Sequence, residues 1–145
     1  MMTDMKTVHG VDLCHCLAAR RHARLLTRLY DRHLAPSNLS ISQFSVLAMI
    51  EARPQLLIAE LAEAMVMERT TLVRALKPLQ NEGYIRGRVE GPRLAIRLSL
   101  TAQGKAKLRE AEIHWHAAQK EEEAHAGSAK AISIRNSLNG RGGNP

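Results

Sequence analysis

Residues 56–89 read LLIAELAEAMVMERTTLVRALKPLQNEGYIRGRV, and the spacing of the apolar positions in this stretch decides the fold. Leu61 and Ala62 share one side of a short helix over about Ile58 to Met65. Val66-Met67 makes a tight turn. From about Glu68 to Asn81 the residues Leu72, Val73, Leu76 and Leu79 recur at the helical period and are expected to face inward. Arg69, Thr70, Arg74 and Lys77 then remain outside. Pro78 within the pattern predicts a kink or an early end near Lys77, and Gly83 supplies the stop.

Beyond Gly83 the period changes from helical to alternating. Leu94, Ile96, Leu98 and Leu100 alternate with Ala95, Arg97 and Ser99, the pattern of a half-buried strand. Tyr84 to Arg88 can pair with it as the other arm of a hairpin, with Glu90-Gly91-Pro92 at the tip. Helix, tight turn, helix and basic hairpin in this order describe a winged helix-turn-helix. The fold class is therefore mainly α with a small β-hairpin. The N-terminal end of the second helix must enter a major groove, and there Arg69 and Arg74 can reach base edges or phosphates. Thr70 and Thr71 suit phosphates and thymine methyls, with Arg74 one turn later and Lys77 after it. The hairpin carries Arg86, Arg88, Arg93 and Arg97, a basic loop suited to the negative potential of a narrow minor groove. Exposed arginines most often form nothing more than a solvated face. Their concentration on the two elements that must touch DNA favours double-stranded DNA as partner.

Outward from this centre the chain is helical. Ser40 followed by Gln43 is a capping-box pattern, opening a helix through Phe44, Leu47 and Ile50 that Arg53-Pro54 ends. Before it, one long helix is expected from about Val11 to Ala35, stopped by Pro36. Cys16, Ala19, Ala23, Leu26 and Tyr30 form one stripe of that helix and Leu13, Leu17, Leu25 and Leu29 a neighbouring one. Together they make an apolar face wider than a single surface helix needs. After the hairpin, Thr101 caps a helix over about Ala102 to Ala124, and Gly127-Ser128 introduces a last one ending near Leu138. Residues 1–9 read as a loose arm, 37–101 as the winged helix-turn-helix, and 139–145 as a flexible Gly-rich tail.

Composition agrees with a helical DNA reader. Of 145 residues, 45% are hydrophobic but only 3% aromatic, which suits helix packing better than a β-sandwich. Lysine and arginine number 21 against 14 acids, for a net charge of +7, and arginine dominates the basic set. Guanidinium is a planar bidentate donor for phosphate and guanine. The N-terminus has no apolar signal core, and Glu60 and Glu63 interrupt the longest apolar stretch, so no membrane association and a cytoplasmic location are expected.

These residues also resemble the MarR-type transcription regulators. The similarity runs from about Leu13 to Leu138 and is carried by residues 56–89 as quoted, by the wing-closing LSLTAQG at 98–104, and by LYDRHLAPSNLSISQFSVLAMI at 29–50. The resemblance implies a triangular homodimer, with residues 10–36 and 102–138 intertwined as a helical dimerisation region. It implies two readers one DNA turn apart on a pseudo-palindromic operator, and usually repression relieved by a small molecule or an oxidant. One departure stands at the wing tip. The family commonly carries Asp-x-Arg there, and the aligned residues are Pro92-Arg93-Leu94. The acid is missing and the arginine is displaced by one, leaving Arg93 as the wing-tip candidate.

The resemblance extends to a sensing branch. In the organic-hydroperoxide-sensing regulators a reactive N-terminal cysteine precedes a tyrosine by a spacing like that of Cys16 and Tyr30, fourteen residues here. The branch's second tyrosine falls at about Ile41. Thiol sensing needs an accessible, readily ionised sulfur, and His15, Arg20 and Arg21 can lend positive charge. Packing is the commoner use of a cysteine on an apolar stripe. Cys14 and Cys16, two apart on one helix, are expected to diverge and not to bond each other. Cys14-His15-Cys16 and His114-Trp115-His116 diverge by about 200° in the same way, so neither chelates alone and no metal is expected. A further candidate effector is a small organic anion held by Arg20, Arg24 and Arg28, a four-residue spacing that more often marks an exposed face. No cofactor is implied. No nucleophile, base and orienter set, phosphate loop or catalytic metal spacing points to an enzyme. A winged-helix adaptor that binds protein instead of DNA is the remaining alternative, and the basic reader helix speaks against it.

Overall fold

The computed structural model describes residues 10–141, so the expected arm over 1–9 and the last part of the expected tail, 142–145, lie outside the described residues. Val11–Leu13 forms a single 3-10 turn, and the first helix, α1, spans His15–Leu34. The continuous helix expected from Val11 is thus interrupted at Cys14. Its backbone is extended and its sulfur accepts the Leu17 amide at 3.4 Å, so it caps the helix instead of continuing it. Cys14 and Cys16 therefore do not share one helix, as their spacing suggested.

Pro36 lies in a second 3-10 turn, Ala35–Ser37, that leads out of α1. Ser37 is fully buried; its hydroxyl donates to the Leu34 carbonyl at 2.7 Å, while its own carbonyl accepts Lys107 Nζ at 3.1 Å. Helix α2, Ile41–Ala52, opens on the expected capping box. Ser40 Oγ accepts the Gln43 amide at 3.1 Å and Gln43 Oε1 accepts the Ser40 amide at 3.0 Å. Asp31 of α1 also accepts the Ile41 amide at 2.7 Å, putting a carboxylate at the positive end of α2.

Strand β1, Leu56–Leu57, leads directly into α3, Ile58–Met65, and α4 follows at Arg69–Asn81. The first of the three residues between them, Val66, adopts the left-handed conformation at φ 53. Helix α4 continues through Pro78 to Asn81, with no early end at Lys77. Beyond it, the amides of Gly83 and Tyr84 donate to the Gln80 and Leu79 carbonyls, a closure that Gly83 permits at φ 79. Strands β2, Ile85–Glu90, and β3, Ala95–Leu100, form the wing. Leu94 is not part of β3. It sits in the loop at φ 54 and is 67% exposed. The sheet is antiparallel with order β1-β3-β2, Leu56 opposite Leu98 and Ile85 opposite Leu100. It is three-stranded where only a hairpin was expected.

Helix α5, Ala102–Ala126, is capped by Thr101 Oγ1, which accepts the Gly104 amide at 3.0 Å. Helix α6 spans Ser128–Arg141. It continues past the end expected near Leu138, so residues 139–141 are helical where a flexible tail was expected. One core joins α2, α3, α4, the sheet and the first half of α5, with Leu47, Leu61, Leu72, Leu76, Leu98 and Leu108 almost wholly buried. Each such side chain contributes about 1.5–3 kcal/mol by leaving water. Phe44 stacks on Trp115 at 5.8 Å between ring centroids, and Arg109 Nη2 grips both Glu51 oxygens at 2.5 and 2.6 Å. Both contacts bind α5 to α2. Among the described residues no helix is long and apolar enough to cross a membrane.

Candidate nucleic-acid interface

Leu72, Leu76 and Leu79 fix α4 to the core, and their common face sets what points outward. At 100° per residue, Thr70, Arg74 and Lys77 fall within about 60° of one another, directly opposite that buried face. All three are exposed, as are Arg69 and Thr71 on the flanks. Val73, expected inward, is 39% exposed. It lies at the edge of the apolar arc, where the turn of the helix has carried it off the core.

The register of the wing divides its residues by face. Arg86 and Arg88 stand opposite Ser99 and Arg97, while Gly87 stands opposite Leu98 and Val89 opposite Ile96. Arg86, Arg88 and Arg97 therefore share the face turned away from the core. Like charges at Arg88 and Arg97 directly across the strands are offset by Glu90, which is 3.8 Å from Arg88 and hydrogen-bonded by Arg97 Nε. Arg97 also donates to the Gln55 carbonyl at 3.1 Å, so it is committed to holding β3 beside β1. Arg93 occupies the exposed loop between the strands. Among the described residues no ion pair engages Arg69, Arg74, Lys77, Arg86 or Arg93. These cations are available to an outside polyanion without first breaking an internal contact.

The sensing candidates are dispersed. Cys16 and Tyr30 lie on the same helix, about 21 Å apart along its axis, so one chain cannot bring them together. Cys16 is exposed in the first turn. Tyr30 is half-buried and donates to Gln119 Oε1 of α5. Burial raises its pKa above the usual phenol value, Glu122 and Glu123 push in the same direction, and Arg135 opposes them. Tyr30 also lines a cavity of about 200 Å³ between α1, α5 and α6, with Leu26, Ile132, Leu138 and Arg135. Arg20, Arg24 and Arg28 line no part of it. They follow the outward side of α1, exposed. Among the described residues no three His, Cys, Asp or Glu side chains group as a metal site.

Sequence spacing missed Val73 and Leu94 as exposed apolar groups. Leu94 had a signal of a kind, since it follows Gly91-Pro92-Arg93 and a four-residue tip leaves it no strand partner.

A MarR family model matches residues 37–93. No curated protein matches the chain. Among solved structures, the M. tuberculosis transcriptional regulator MosR in complex with DNA is 36% identical, covering 89% of this chain and 93% of that one at a TM-score of 0.79. The transcriptional repressor CouR bound to a 23-mer DNA duplex is 22% identical over 91% and 94% of the two chains, also at 0.79. CouR from Rhodococcus jostii RHA1 bound to p-coumaroyl-CoA is 14% identical over 92% and 94%, at 0.78. The last two likenesses establish the fold alone. The first spans nearly the whole of both molecules at an identity that joins sequence to architecture, and on it the chain belongs to the MarR family of DNA-binding transcription regulators.

Proposed function

We propose that the protein is a cytoplasmic transcriptional repressor that binds a pseudo-palindromic operator as a homodimer and leaves it when a small ligand or an oxidant acts. The observation that carries this reading is the outward stripe Thr70, Arg74 and Lys77 on α4, free of ion pairs among the described residues and backed by buried leucines. In this reading the stripe, with Arg69 and Thr71, enters the major groove, while Arg86, Arg88 and Arg93 follow the backbone into the adjacent minor groove.

Two copies are favoured by what one chain leaves uncovered. Leu13, Leu17 and Leu25 of the N-terminal segment and Ile132, Ile134 and Leu138 of α6 are large apolar side chains exposed to at least a third of their area. Faces of this kind call for a partner. A homodimer built on them joins the two ends of the chain and spaces the readers for two half-sites.

For release, the cavity beside Tyr30 offers an apolar seat to a small ligand, and CouR is a MarR-fold repressor solved with p-coumaroyl-CoA. An organic anion steered by Arg20, Arg24 and Arg28 is the alternative seat, on the outside of α1. Cys16 supports the oxidant reading by its exposure, and a contact with Tyr30 then requires the second copy. The test is a gel shift on the duplex upstream of the protein's own gene across a salt series. Binding that falls steeply with salt is expected. No binding at low salt overturns the proposal.

A further inference from the structure

The helical period of α4 puts Val73 at the edge of the buried face, and it is 39% exposed while its neighbours Leu72 and Leu76 are sealed. At 100° per residue Val73 stands about 40° from Arg69, one turn before, and the same from Lys77, one turn after. It adjoins Arg74 in sequence. Gln80 lies on the same flank two turns on, and its amide nitrogen is 4.0 Å from where a Cβ on Gly87 of β2 would stand. This flank of α4 therefore faces the wing. An uncovered branched hydrocarbon sits here inside a group of cations that no ion pair engages among the described residues.

Only one apolar group is displayed on the major-groove edge of DNA, the 5-methyl of thymine. Valine suits it, since its χ1 is nearly fixed in a helix and both γ-methyls are presented with little freedom left to lose. We propose that Val73 is a specificity-determining residue that reads a thymine methyl in each half-site, on the wing side of the base or phosphate met by Arg74. The inference rests on the reading of α4 as the major-groove helix and adds to it an apolar selection beside the charged contacts. A cytosine in the same place carries only a hydrogen at C5, so the contact with Val73 is lost.

The test removes the methyl groups from each side of the contact in turn. A duplex is selected by the wild-type protein from a random-sequence library, and each thymine in one half-site is replaced in turn by deoxyuridine, which lacks only the 5-methyl. Wild type is expected to bind roughly fourfold more weakly when one particular thymine is replaced, the equivalent of one buried methyl. Val73→Ala is expected to bind the thymine and uracil duplexes equally, and Val73→Thr, which keeps one γ-methyl, to retain the difference. Equal sensitivity of wild type and Val73→Ala at every thymine, or none in either, overturns the inference while leaving DNA binding intact. A wild-type protein that selects no duplex at low salt overturns the reading of α4 itself, and this inference with it.

Discussion

A β-carbon on Gly104 would stand 2.0 Å from the carbonyl oxygen of Tyr84. That close approach locks the first turn of α5 against the start of the wing. Around it, the Thr101 amide donates to the Tyr84 carbonyl at 3.0 Å and the Thr101 hydroxyl donates to the Gly83 carbonyl. Alanine is the better helix former by about 1 kcal/mol, so propensity alone favours Gly104→Ala. The clash is with backbone and cannot be relieved by a side-chain rotation. Gly104→Ala is expected to destabilise the fold by on the order of 2 kcal/mol, read as a lower urea midpoint. An unchanged or higher midpoint would show that the wing yields freely at this point.

Val66 poses the opposite case. A β-branched residue in the left-handed region is strained, and at 81% exposure its side chain gains little from burial in return. Val66→Gly is expected to raise stability by about 1 kcal/mol, seen as a higher melting temperature. A fall in melting temperature would mean that the turn between α3 and α4 depends on the valine side chain.

Much of this geometry was legible in the sequence because it is local. The Ser40–Gln43 box, the Thr101 cap and the leucine spacing of residues 58–81 each act over one or two turns. What escaped is what depends on distant partners. Two residues of β1 carry no period, and they become a strand only because Leu56 and Leu57 find Leu98 and Arg97 across the fold. Cys14 looked like one more helical position until its sulfur was needed to satisfy the Leu17 amide. For Val73, spacing gave the phase of the helix but not the width of the surface on which it rests.

Among the outward cations of α4, Arg74 and Lys77 are expected to behave differently on DNA. Arg74→Ala should cost about 1–3 kcal/mol of operator affinity and relax preference at one base, whereas Lys77→Ala should weaken all sequences alike and lower the salt slope by about 1. Affinities measured over a site library at several salt concentrations separate the two. If preference is unchanged in Arg74→Ala, that arginine contacts phosphate only.

Cys16 is exposed and contributes nothing to the core. Cys16→Ser should leave DNA binding as it is and abolish release by organic peroxide. Mass spectrometry of the oxidised wild type reports the modified sulfur directly. Normal release of the mutant by peroxide removes Cys16 as the sensor.

The seam at Gly104 also makes α5 a lever. A helix of 25 residues is about 37 Å long, so a tilt of roughly 10° at the end beside α6 is carried to the other end as a shift of about 6 Å. With no slack between Gly104 and Tyr84, the wing travels with that end, and α2, bound to α5 through Phe44 and Glu51, travels with it. Under the proposed mode of release, a small ligand wedged beside Tyr30 would be geared up into a displacement comparable to nearly two base-pair steps. If the protein is released from DNA as proposed, a reader mounted this way needs no hinge to lose its grip.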